Sequence, residues 1–375
     1  MPRHHEIIHQ IPPLRTIHTF PVMGGYSDME RMNQVRGTLH SLQVMRAVAA
    51  FMVALYHAHL VLIERHLATA SEAEMYVFAF GRAGVHMFFV LSGFIMVMTT
   101  NESRYSFKDF IARRFGRIYP IYWISVLLLL ATAAAFGQPF AVSFTHSIGA
   151  LLLLPADAPR FIGAAWTLSF EVYFYICFGL AMMLGLTRGL MILAAFFLCC
   201  VAVGTLIDNQ GPLLNQMTSV LLLEFLGGTA IGWLAVRGKL PERWGAAITG
   251  AAILLFMLVL AIGYDKTREA FSFGAPSLLL VLGLVCWERH AGSHPLLQRI
   301  GKLGDSSYAL YLNHEAVILA LVTLVPAGVA AIPVSVALAC VVFGIAVHVL
   351  AEKPLLKLLR ARPRRDVVAR EAPAA

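Results

Sequence analysis

Charge is what this sequence most lacks. Of its 375 residues only 13% are Asp, Glu, Lys or Arg, while 59% are hydrophobic. An ordinary globular domain is nearer a quarter charged, and a soluble core stops growing at about 250–300 residues. A soluble globular chain is therefore excluded, and the sequence falls in the membrane class. Cysteine is also scarce. Cys177, Cys199, Cys200, Cys286 and Cys340 all lie inside apolar runs. None has metal-ligand spacing to a His, so neither a metal site nor a disulfide framework is expected. They read as small hydrophobic side chains. No strict apolar–polar alternation marks the runs, which excludes a β-barrel. No internal repeat and no separate soluble domain is visible. A secretory signal is absent as well: the first 40 residues are polar and broken by Pro and Gly, and the first apolar run begins near Leu42. That run reads as an uncleaved first span. The net charge of +8 does not point to nucleic acid, because basic residues in a membrane protein serve first as topology signals.

What is present is a series of long apolar runs. A span needs about 20 mostly apolar residues, and ten segments qualify: 42–63, 83–100, 118–136, 162–184, 189–207, 217–236, 245–263, 272–287, 305–325 and 329–350. The run 142–155 is too short to cross and reads as a re-entrant or interfacial piece. Of the 29 Lys and Arg, 23 fall on one side of this arrangement and 5 on the other, with Arg46 inside a span. Positive charge gathers on the cytoplasmic side, so both termini are expected in the cytoplasm. An eleventh span at 142–155 would spoil the split. The expected architecture is an all-α polytopic membrane protein of about ten transmembrane helices. Residues 1–38 read as a polar cytoplasmic leader, expected to be disordered. Residues 39–350 form the membrane domain, and 351–375 a basic cytoplasmic tail suited to anionic lipid headgroups.

Ionisable residues at membrane depth are costly and mark function by default. Arg46 and His57 are eleven residues apart, close to three full turns, so they share one face of the first helix about 16 Å apart. Arg46 lies near the cytoplasmic surface and His57 in the outer half. Counting down the fourth span puts Glu171 at nearly the depth of His57, where a carboxylate would fix the imidazole tautomer and raise its basicity. His314 sits in the run SSYALYLNHE with Tyr308, Tyr311 and Glu315 at helical spacing. For the tyrosines, aromatic core packing is the plainer expectation. Glu224 and His348 have no readable partner and are expected to be structural. In SFKDFIARRFGRIYP, Phe and Ile alternate with Lys and Arg, as in a short amphipathic helix at the inner surface. Arg114 and Arg117 are one turn apart there and suit a bidentate phosphate clamp.

Five blocks, SLQVMRAVAAFMVALYHAH, GVHMFFVLSGFIM, FIARRFGRIYPIYW, WTLSFEVYFY and GDSSYALYLNH, occur in the order found in the integral-membrane acyltransferase-3 family, and the chain resembles its exopolysaccharide-modifying branch over roughly 39–350. The family's Arg-x10-His motif falls on Arg46 and His57, and its Arg-x-x-Arg motif on Arg114 and Arg117. Its Trp…Glu…Phe-Tyr block falls on Trp166, Glu171, Phe174 and Tyr175. Its late Tyr-x-x-Tyr-Leu-x-His block falls on Tyr308, Tyr311, Leu312 and His314. The resemblance implies a bacterial inner-membrane O-acyltransferase moving an acyl group, usually acetyl, from cytoplasmic acyl-CoA to a hydroxyl of a lipid-linked or polymeric glycan. In that reading acyl-CoA is a co-substrate, with no permanently bound cofactor and no metal. His57 is the base and Glu171 its orienting partner. Arg46, Arg114 and Arg117 hold the donor, and Tyr308, Tyr311, His314 and Trp166 shape the acceptor cavity. The alternative from another class is a proton-coupled secondary transporter using His57, Glu171 and His314 as a relay.

Overall fold

The computed structural model describes residues 39–100, 105–138, 144–155, 160–207, 211–264, 268–324 and 333–360. The leader 1–38 and the tail from 361 onward lie outside the described residues. Ten helical runs among those described are long and apolar enough to cross a membrane, and they match the ten apolar segments. In chain order the helices are α1 (His40–Glu64), α2 (Glu72–Ala79), α3 (Ala83–Thr100), α4 (Phe107–Ala135), α5 (Phe144–Leu151), α6 (Trp166–Met182), α7 (Leu186–Gly204) and α8 (Pro212–Met217). They continue with α9 (Leu222–Val236), α10 (Gly245–Ile262), α11 (Glu269–Ala291), α12 (Pro295–Gly301), α13 (Ser307–Leu324), α14 (Pro333–Val347) and α15 (Lys353–Arg360).

Several ends differ from the expected ones for local reasons. The second span gains α2 in front of α3 because Ser71 and Glu74 form a reciprocal capping box that starts a helix early. The basic segment before the third span is not a separate interfacial helix. Ser106 caps it through the Asp109 N–H, and it runs unbroken into the span as one 29-residue helix, α4. A π-helical turn, His348–Glu352, joins the last span to α15, so the helix continues well past 350.

The described part of the 142–155 run holds the eight-residue α5, far short of a crossing. A helix end in an apolar setting must satisfy its last carbonyls from elsewhere. Here α4 supplies the donors: Tyr122 to Ala150 O at 2.8 Å, Trp123 to Leu151 O at 3.0 Å and Tyr119 to Leu152 O at 2.9 Å. Carboxylates from distant helices serve two N-termini in the same way. Glu288 of α11 accepts the N–H groups of His40 and Ser41 at 2.9 and 2.7 Å, opening α1. Glu315 of α13 accepts those of Gly163 and Ala164 at 2.8 and 2.7 Å, opening α6. Each places negative charge at the positive end of a helix.

Packing around the functional region is tight. A Cβ on Gly228 of α9 would lie 2.0 Å from the Val90 carbonyl, and one on Gly93 of α3 would lie 2.1 Å from that of Phe225. These two backbones touch because glycine lets them, the usual device where apolar burial alone does not drive helices together. Phe225 then stacks on Phe174 of α6 at 4.4 Å and on Phe89 at 4.7 Å, fixing α6 against α3.

Candidate active site

Two groups of polar side chains meet α13. The first is an imidazole pair. His57 of α1 and His314 of α13 approach with His57 Nδ1 3.2 Å from His314 Nε2. His314 Nδ1 is 2.7 Å from the Tyr311 carbonyl, and His57 Nδ1 is 2.9 Å from the Val53 carbonyl. A carbonyl only accepts, so both Nδ1 atoms carry hydrogen. His57 Nδ1–H is then shared between Val53 O and His314 Nε2, and in the neutral ring the lone pair is left on His57 Nε2. His314 is 1% exposed, whereas His57 is half-buried. The buried ring fixes the tautomer, and the more accessible ring presents the base.

The second group lines a cavity of about 80 Å³. Arg46 enters it from α1, Arg114 and Arg117 from α4, and Glu171 from α6. Arg46 Nη1 donates to Gln43 Oε1 at 2.8 Å, and Gln43 Nε2 donates to Asp305 Oδ1 at 3.1 Å. Arg114 donates to Thr99 Oγ1 and lies over the rings of Phe110 and Tyr175 at 5.5 and 5.8 Å. Among the described residues the ion pairs are Arg82–Glu269, His86–Glu224, Arg289–Glu242 and His348–Glu352. None involves a cavity arginine. Three guanidiniums facing one carboxylate leave a net positive chamber suited to a phosphate-bearing ligand.

The expected His57–Glu171 pair is not formed. Glu171 Oε1 accepts from Ser92 Oγ at 2.7 Å, and Oε2 from Tyr175 OH at 3.2 Å. Glu171 points to α3 and lines the arginine cavity together with Arg46, the residue near the other end of the α1 face, while His57 faces α13. The expected acceptor set also divides. Tyr308 and Tyr311 line the arginine cavity, with their hydroxyls tied to the Ile118 and Ala164 carbonyls at 3.0 Å each. His314 belongs to the imidazole pair. Trp166 is 39% exposed and packs on Phe170 and Phe89 at 5.7 and 6.2 Å, outside the lining of the arginine cavity.

Glu224 and His348 do have partners, His86 Nδ1 at 2.6 Å and Glu352 at 2.8 Å. Sequence reasoning passed over Ser92, Gln43 and Thr99. Gln43 was within reach, since it stands three residues before Arg46 on one helix. Ser92 carried only a faint signal, one hydroxyl within an apolar run.

Residues 39–351 match the family described as "Acyltransferase domain". The chain is 30% identical to the exopolysaccharide production protein ExoZ of Rhizobium meliloti (strain 1021), across 78% of this chain and 95% of that protein. It is 25% identical to the acyltransferase MdmB of Streptomyces mycarofaciens, across 78% of this chain and 85% of that one. No solved structure gives a significant match.

Proposed function

The chain belongs to the acyltransferase-3 family of multi-pass membrane proteins and is an acyl-transferring enzyme, and from that premise we propose that it O-acylates a sugar hydroxyl of an exopolysaccharide, using acetyl-CoA as donor. The observation that carries this reading is the His57–His314 contact, in which Val53 O and His314 Nε2 take up His57 Nδ1–H and leave Nε2 of the neutral ring to act as base, at the far end of the helix face that begins at Arg46. With both termini in the cytoplasm of a bacterial inner membrane, Arg46, Arg114 and Arg117 lie at the cytoplasmic end. They take the phosphates of the donor, and the acyl arm rises between the helices toward His57.

His57 Nε2 removes the proton of the acceptor hydroxyl as its oxygen attacks the thioester carbonyl. The C–S bond breaks, the ester forms, and the departing thiolate takes the proton back from Nε2. Acyl-CoA and alcohol become ester and CoA, with no net proton change at the enzyme. As the imidazolium forms, its Nδ1–H bond to His314 Nε2 strengthens, so the buried ring stabilises the charge without touching substrate. A transporter relay through His57, Glu171 and His314 loses its third member, because Glu171 is bonded to Ser92 and Tyr175.

Deleting the gene should remove O-acyl signals from the NMR spectrum of the surface polysaccharide, and complementation should restore them. Identical O-acyl content in the deletion strain and its parent would end the polysaccharide reading.

A further inference from the structure

Six hydroxyl-bearing residues line the arginine cavity: Ser92, Thr167, Tyr175, Ser307, Tyr308 and Tyr311. Five are committed. Ser92 and Tyr175 donate to Glu171. Thr167 and Tyr311 bond each other, and Tyr311 also donates to Ala164 O. Tyr308 donates to Ile118 O. Ser307 Oγ alone has no partner, although Ser307 is only 1% exposed. A buried hydroxyl without a partner is destabilising, and natural structures seldom keep one without cause.

Its position suggests the cause. Ser307 opens α13, and His314 follows seven residues later, nearly two turns on the same face and about 10 Å along the axis. Tyr311 lies between them and also faces the cavity. A donor with phosphates on the arginines and a thioester at His57 must lay its pantetheine arm along this stretch. The polar groups of that arm are two amides. We propose that Ser307 is a donor-binding residue whose hydroxyl donates to an amide carbonyl of the pantetheine arm. The assignment rests on the acyl-CoA reading given above.

The test uses the purified full chain in lipid nanodiscs, with three probes competing against labelled CoA. They are CoA itself, S-acetylpantetheine, which lacks the nucleotide, and adenosine 3′,5′-bisphosphate, which lacks the arm. Ser307→Ala should weaken CoA and S-acetylpantetheine by about three- to tenfold, the worth of one neutral hydrogen bond, and leave the bisphosphate unchanged. The ligand-free variant should melt no lower than the parent, because the hydroxyl it loses makes no hydrogen bond within the protein. An equal loss for the bisphosphate, no loss for the two arm-bearing probes, or a lowered ligand-free melting point would each overturn the assignment. A parent protein that binds none of the three would instead remove the acyl-CoA reading beneath it, and the assignment with it.

Discussion

Changing His57 to Gln should reduce acyl transfer by about 10²- to 10⁴-fold, the usual span for a lost general base, while leaving acyl-CoA binding intact. Gln keeps an amide N–H for His314 and similar bulk, but it cannot accept a proton from the acceptor hydroxyl. Binding survives because Arg46 lies about 16 Å away along α1 and makes its own contact to Gln43. His314→Ala should fall less far. It removes the acceptor of the His57 Nδ1–H bond, yet Val53 O still holds that hydrogen at 2.9 Å and Nε2 stays bare. The measurement is O-acylation in complemented deletion cells, with protein level checked by immunoblot. A stable His57→Gln protein with parental activity would remove His57 from the chemistry.

Changing Arg114 and Arg117 together to Ala should weaken acyl-CoA binding by about a hundredfold or more. Each charge-assisted hydrogen bond to a phosphate is worth about 1.5–3 kcal/mol, and two at the lower figure already give that factor. Insertion should persist, because Lys108 and Arg113 remain on the same helix to mark the inner side. Arg113→Ala is the control: Arg113 is exposed and does not line the cavity, so its loss should leave affinity unchanged. Equilibrium binding to purified protein reads all three. Parental affinity in the double variant would return Arg114 and Arg117 to a purely topological role.

The membrane architecture was legible because hydropathy reports length directly, and the ten apolar runs correspond to ten membrane-length helical runs among the described residues. The shared face of Arg46 and His57 was legible from the 3.6-residue period, and both do turn toward α13: His57 bonds His314, and Gln43, the partner of Arg46, bonds Asp305 just before that helix. What periodicity cannot supply is the rotation of one helix against another. Glu171 was expected beside His57, and it stands instead with Ser92, Tyr175 and the cavity arginines. His57 and His314 stand 257 residues apart, so nothing local could pair them. Helix ends were the other loss. The 71–74 capping box was readable from Ser71 and Glu74, but an apolar-run criterion does not look for it. Ser307 was invisible for a different reason: its interest lies in a bond it does not make, which only the cavity and its five committed hydroxyls reveal.

The proposed reaction is transfer from a CoA thioester to a sugar hydroxyl with His57 as the base. Its most direct test is the purified protein in lipid, supplied with labelled acetyl-CoA and the strain's own de-O-acylated polysaccharide. One CoA should be released for each ester formed, release should occur only when the glycan is present, and both should be lost in the His57→Gln protein. A protein that binds acetyl-CoA and contacts the glycan but forms no ester, or a His57→Gln protein that transfers at the parental rate, would contradict it.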